Sequence, residues 1–254
     1  MTDSFTGRAA LVTGASRGIG RAIAAGLAAG GARVALLARS EDELAGTAGI
    51  IKAAGGTAYV VPADLGDEGE LSRAIERVRG ELGPVDILVN NAGVVWPLRP
   101  TPTLDVADYA AATRINLLAP VTLAVAFTPG MVERGWGRVV NVSTCAVTRP
   151  ASMIGGNAYV TTKAALEMHT INLALELDGT GVTVNVYRPG VVDTAMPAYI
   201  RAQDPARIGA ALHERFVRTH AEGRLITPEQ SAKKLLDHLA NDDGTAQVWD
   251  ADAA

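Results

Sequence analysis

Two short runs place reactive side chains at chemically useful spacings. In YVTTK, Tyr159 and Lys163 are four residues apart, which on a helix puts the phenol and the ammonium on one face. An ammonium beside a phenol favours the phenolate and lowers a pKa that starts at about 10. The pair is therefore expected to exchange a proton near neutral pH, the task of a general acid or base. Upstream, NVSTCAV sets two hydroxyls, Ser143 and Thr144, just after an apolar run. Successive strand side chains point to opposite faces, so one of these hydroxyls, and not both, should reach a reacting group.

Near the start, VTGASRGIG places Gly14, Gly18 and Gly20 between an apolar run and an Ala-rich stretch. Glycines there allow a tight turn and a close approach of backbone amides to a pyrophosphate at a helix N-terminus. The spacing is GxxxGxG and departs from the GxGxxG dinucleotide fingerprint. The next apolar run ends in LLARSED, with Arg39 and Ser40 where an NAD-binding chain would carry an acid for the adenosine ribose. Arg39, with Arg17 from the glycine turn, suits a 2′-phosphate, so NADP(H) is the expected cofactor.

The elements that must position these groups follow from periodicity. Short β-branched runs at 8–13, 32–38, 57–62, 86–90, 137–142, 181–187 and 246–250 alternate with amphipathic stretches such as GRAIAAGLAAGG and EGELSRAIERVRGEL. That alternation predicts an α/β fold with a doubly wound parallel sheet, Rossmann-like, as a single domain over 1–254. One irregular, charge-rich segment at about 195–227 reads as an excursion over the carboxyl edge of the sheet, a lid over substrate. With aromatics at 4% and 27 glycines, the core is expected to be Ala, Val, Leu and Ile on closely packed elements.

A net charge of −4 and the lack of any basic block argue against nucleic acid and anionic membrane as partners. The start, MTDSFTGR, has no export signature, and the apolar stretch 117–127 is too short to span a bilayer. The lone Cys145 cannot form an internal disulfide and is read as structural. A cytoplasmic protein is expected. The four histidines form no metal-ligand pattern, so no metal is expected.

Taken together, TGASRGIG, NNAG (90–93), YVTTK and RPGVVDT (188–194) resemble the ordered motifs of the short-chain dehydrogenase/reductase family across about residues 5–250. The resemblance implies a cofactor cleft built from Gly14, Ser16, Arg17, Gly18, Ile19 and Gly20. It adds Arg39 and Ser40, Asp64 and Leu65 at the adenine end, Asn90, Ala92 and Gly93, and Pro189, Gly190, Val192 and Thr194 around the nicotinamide carboxamide. It also implies that Tyr159 protonates a carbonyl oxygen while Lys163 holds the nicotinamide ribose, and that Asn116 anchors a water in the proton relay. Counting from Asn141, the family's serine position falls on Thr144, with Ser143 as the alternative. Asp64 could equally cap a helix.

The implied activity is hydride transfer between NADP(H) and a small ketone, alcohol or dicarbonyl. The tail EGRLITPEQSAKKLLDHLANDDGTAQVWD is similar to those of sepiapterin- or benzil-reductase-like members. Reduction of a 3-oxoacyl thioester on acyl-carrier protein is the closest alternative, and a non-catalytic NADPH-binding sensor or scaffold is the reading from a different class. The family's habit also implies a homodimer or homotetramer through helices around 104–134 and 156–178.

Overall fold

Seven parallel strands form one sheet in the order β3-β2-β1-β4-β5-β6-β7. The computed structural model describes residues 4–251, so the outermost three residues at each end of the expected 1–254 domain lie outside the described residues. The strands are β1 (Ala9–Thr13), β2 (Arg33–Ala38), β3 (Thr57–Pro62), β4 (Ile87–Asn90), β5 (Gly137–Val142), β6 (Val182–Arg188) and β7 (Val248–Asp250). The chain runs outward from β1 to β3, then returns to pair β4 against the free edge of β1. The reversal makes a crevice at the carboxyl ends of β1 and β4, where ligands of open α/β sheets bind.

Strand alternation sorts the core into two layers. Ala10 and Val12 face α1 (Gly18–Ala29), α2 (Glu41–Ala53) and α10 (Pro228–Asn241). Ala9 and Leu11 face α3 (Glu68–Leu82) and α5 (Ala119–Glu133). Both faces are covered, which is why the strands read as continuous apolar runs. Close packing is visible where α1 crosses α10: a Cβ on Gly26 would lie 2.2 Å from Leu236 Cδ1.

Local chemistry starts the helices where they are needed. Ser40 caps α2 by accepting from the Glu43 amide, with Glu41, Asp42 and Glu43 in its first turn. Asp67 caps α3 by accepting from the Glu70 amide. Asp64 does not cap that helix; its carboxylate accepts from the Gly66 amide at 2.8 Å, two residues on. Thr227 and Gln230 form a reciprocal capping box on α10, with Pro228 at its first position.

Between α4 (Val106–Thr113) and α5 the helix widens into a π turn over Arg114–Leu118, an irregularity often found at functional sites. The whole run Val106–Glu133 is long and apolar enough to cross a membrane by length and composition, yet Leu123, Phe127 and Met131 lie in the core against the sheet. α6 (Asn157–Glu176) follows β5. The irregular segment after β6 folds into α7 (Ala195–Arg201), α8 (Pro205–Ile208) and α9 (Ala210–Ala221). Its two ends are clamped together by a parallel bridge between Val192 and Ile226.

Candidate active site

A cleft of about 810 Å³ opens at the carboxyl edge of the sheet. At one end lies the turn between β1 and α1. Gly14 and Gly18 take φ of +64° and +56° there, conformations that side-chain-bearing residues avoid. A Cβ on Gly20 would lie 2.2 Å from the Gly14 carbonyl oxygen, so only glycine lets the turn close this tightly. The N-cap residue Arg17 places no side chain on the first amides of α1, leaving them for an outside anion. These features fit a dinucleotide pyrophosphate.

The turn is held from behind by groups that motif reading missed. Thr47 reaches the carbonyl oxygens of Ala15 and Ser16 at 3.0 and 3.2 Å, and Arg21 Nε donates to the latter at 3.1 Å. The Thr13 hydroxyl accepts from the amides of Asn91 and Ala92, both at 3.0 Å, tying the ends of β1 and β4 together across the crevice. Asn91 Nδ2 donates back to the Thr13 carbonyl at 2.9 Å. A hydroxyl at the end of β1 facing a polar strand end was the available signal.

Among the predicted cofactor residues, Gly14, Ser16, Arg17, Gly18, Ile19, Gly20, Arg39, Ser40, Asp64, Leu65, Ala92, Gly93, Pro189, Gly190, Val192 and Thr194 all line this cleft. Asn90 does not. Its side chain turns into the sheet and donates to Asn141 Oδ1 at 2.8 Å, because strand alternation points it away from the crevice, and Asn91 takes the place at the wall. Arg39 is exposed and enters no ion pair among the described residues, whereas Arg17 meets Glu43 at 3.7 Å with both side chains largely in water. Such an exposed pair is weak and leaves Arg17 available to an anion. The Pro189 carbonyl accepts from the Ser231 hydroxyl at 3.0 Å, bracing the PG segment against α10.

Thr144, Tyr159 and Lys163 converge at the other end. Tyr159 is buried, and burial pushes its phenol up to about 12; the hydrogen bond with the Thr144 hydroxyl pulls the other way, and the Cys145 thiol raises it further. This corrects the expectation of a phenolate lowered by lysine. The Lys163 ammonium instead donates to the Val142 carbonyl at 2.7 Å, and burial lowers it to about 8 despite the nearby Glu167 carboxylate. At neutral pH the site therefore presents a neutral phenol ready to give a proton, beside a cation whose charge titrates just above neutrality.

The two adjacent hydroxyls part company. Thr144 Oγ1 accepts from the Ala146 amide at 3.2 Å, so its own proton remains for the phenol oxygen or a substrate oxygen. Ser143 donates to Glu167 Oε1 at 2.6 Å and is committed there. Glu167 is in turn gripped by Arg188, Nε to Oε1 at 2.9 Å and Nη2 to Oε2 at 2.7 Å. This buried Ser143–Glu167–Arg188 chain joins β5, α6 and β6 one helical turn below Lys163. Motif reading missed it, although a glutamate four residues after Lys163 on a buried face was a visible sign.

Asn116, on the π turn, is buried and does not line the cleft. Its Oδ1 accepts from the Val94 amide at 2.8 Å, while Nδ2 donates to the Val94 carbonyl at 2.9 Å and to Thr162 Oγ1 at 3.1 Å. It fastens the segment after β4 to α6. A Cβ on Gly93 would lie 3.3 Å from both Asn116 Oδ1 and Lys163 Nζ, so this glycine leaves the room those two groups occupy.

Comparison with known proteins places this geometry among relatives. The short chain dehydrogenase family matches residues 8–205. The ketoacyl reductase HetN of Nostoc sp. PCC 7120 is 37% identical over 208 residues, covering 81% of this chain and 71% of that protein. The chain spans 62% to 71% of the length of the first curated relatives it matches. A crystal structure of a 3-oxoacyl (acyl-carrier-protein) reductase from Agrobacterium tumefaciens C58 with NADP bound is 37% identical, with a TM-score of 0.84 over 97% of this chain and 93% of that one. A putative NAD(P)-dependent gluconate 5-dehydrogenase from Beutenbergia cavernae, with bound NADP, is 33% identical, with a TM-score of 0.85 over 99% and 98%.

Proposed function

The chain belongs to the short-chain dehydrogenase family, and on that premise we propose that it is an NADP(H)-dependent oxidoreductase acting on a small ketone, the corresponding alcohol, or a dicarbonyl. The observation that carries this reading is the convergence of buried Tyr159 with Thr144 and Lys163 on the same cleft that the glycine turn lines. Solved relatives with NADP bound support the cofactor, as do the glycine turn and the exposed Arg39, which enters no ion pair among the described residues.

The nicotinamide cofactor, when bound, supplies or accepts the hydride. In the reductive direction Tyr159 gives its proton to the carbonyl oxygen as the carbonyl carbon gains the hydride, so a ketone becomes an alcohol. Thr144 donates a hydrogen bond to that same oxygen and holds it within reach of the phenol. Lys163 offsets the negative charge left on the tyrosine oxygen and binds the ribose beside it. Arg17 and Arg39 hold the 2′-phosphate, and the amides of the first α1 turn hold the pyrophosphate. Asn116 is a positioning residue that fixes the wall around Gly93, and the segment 195–227 closes over substrate.

A 3-oxoacyl thioester is the second reading, favoured by the names of HetN and the Agrobacterium structure. A second copy of the chain is the expected partner. Leu118, Val125 and Val132 recur every seven residues and stand exposed along the π turn and α5, with Met168 and Leu175 exposed at the same interval on α6. Light scattering of wild type and Val125→Glu tests that surface, and a monomeric wild type overturns it.

The deciding experiment follows loss of reduced-nicotinamide absorbance, with NADPH and NADH in parallel, against dicarbonyls, simple ketones and a β-oxoacyl thioester. Turnover with NADPH upholds the reading, and the best substrate chooses between ketone and thioester. NADPH binding without any turnover sinks it in favour of a sensor.

A further inference from the structure

One wall of the cleft carries a cation with no acidic partner among the described residues. Arg215, on α9, lines the cleft together with Cys145, Ser152, Met153 and Phe216. Its Nη1 donates to the Ser152 carbonyl, and it enters no ion pair among the described residues. Burial depresses its pKa; the Cys145 thiol opposes this, while the cations of Arg149 and Arg224 add to the depression. Arg224 already has Glu222 as its partner. The Ser152 hydroxyl is buried with no hydrogen-bond partner among the described residues.

This wall belongs to the reacting end of the cleft. Met153 and Phe216 pack in the same apolar cluster as Tyr159, and Cys145, next in the chain to Thr144, lines the same cleft. A half-buried guanidinium and an unbonded hydroxyl on an apolar wall each carry a desolvation cost that an entering anionic oxygen would relieve. A guanidinium matches the planar, two-oxygen shape of a carboxylate, and low-dielectric surroundings strengthen the attraction.

We propose that Arg215 and Ser152 form a carboxylate subsite, so that the preferred substrate is an oxo acid, or the hydroxy acid in reverse, with its carbonyl at Tyr159 and Thr144 and its carboxylate at Arg215. The proposal rests on the reductase reading above and narrows it. The rival account makes Arg215 a strut that merely holds the Ser152 backbone.

The test compares α-, β- and γ-oxo acids with their methyl esters under NADPH, for wild type, Arg215→Gln, Arg215→Lys and Ser152→Ala. Wild type should favour the best acid over its ester by about ten- to a hundredfold in kcat/KM, the worth of a hydrogen-bonded ion contact. Arg215→Gln should abolish that preference by lowering acid turnover far more than ester turnover, Arg215→Lys should keep part of it, and Ser152→Ala should reduce it by a smaller factor. Should Arg215→Gln not fold, the wild-type ratio and Ser152→Ala carry the test. An equal rate on acid and ester in wild type, an equal loss of both in Arg215→Gln, or activity confined to a β-oxoacyl thioester overturns the subsite and leaves the reductase standing. Failure to reduce any carbonyl compound brings down both readings.

Discussion

The two ends of the cleft are built from different materials. At the phosphate end the surface is mostly backbone: tight glycines, free helix amides, and strand ends tied by Thr13 and Asn91. At the end proposed to react, the lining is side chains, Thr144, Tyr159, Lys163 and Arg215, beside an apolar cluster fed by three short helices. Backbone recognition fixes residue type at adjacent positions, so the same turn can serve any member of a family that binds a dinucleotide. Side-chain recognition draws on positions far apart in the chain and can be retuned one residue at a time.

If that division is right, changes at one end should leave the other end's readout alone. The largest effect is expected from Tyr159→Phe, which removes only the transferable proton. Turnover should fall about 10² to 10⁴-fold while NADPH binding, followed by fluorescence titration, is unchanged. Weakened NADPH binding in this variant would erase the separation between the ends. Next comes Arg188→Met, which strands the buried Glu167 carboxylate. We expect a loss of about 3–5 kcal/mol in unfolding free energy by urea denaturation, with Glu167→Gln on the same background recovering part of it. A stability equal to wild type would show that the Ser143–Glu167–Arg188 chain is not what holds β6 against α6.

Of intermediate size is the pH response. Lys163 is charged below its depressed value of about 8 and neutral above it, while Tyr159, at about 12, keeps its proton throughout that range. Reductive kcat/KM should therefore hold steady below the lysine value and fall about tenfold per pH unit above it. A break that stays in place in Lys163→Arg would assign it to another group. At the phosphate end, Arg39→Ala should lower the NADPH-to-NADH ratio of kcat/KM by about tenfold or more, with turnover at saturating cofactor unchanged. The smallest effect belongs to Thr144→Ser, which keeps the hydroxyl and removes a methyl. Activity should stay within about tenfold of wild type, whereas Ser143→Ala should lower the melting temperature before it touches the rate.

Most of the sheet was legible because its strands are covered on both faces and read as apolar runs. The runs at 57–62 and 137–142 coincide with β3 and β5, and the amphipathic stretch beginning at Glu68 is α3. The glycine turn was legible for the same reason it functions, namely that no other residue fits it. What escaped was set by distant partners. Asn90 and Asn91 differ by one step of strand alternation, which decides which of them meets the crevice. The pKa of Tyr159 was misjudged because the spacing to Lys163 shows adjacency, whereas burial, and the capture of Lys163 by the Val142 carbonyl, are products of packing. The irregular segment at 195–227 showed its charge but not its three helices, whose packing depends on Met153 and Leu98 from elsewhere in the chain.

The place of β1 in the sheet also sets a clock for the newborn chain. β2 follows β1 almost at once and can pair with it, but the opposite edge of β1 waits for Ile87–Asn90, roughly seventy residues later, or about 4–15 seconds of translation. Until then Leu11 and Val12 sit on an open edge able to pair with any extended chain nearby. The junction that creates the ligand crevice is therefore also the last seam of the N-terminal half to close, and when it closes the open edge passes from β1 to β4 until β5 arrives to cover it.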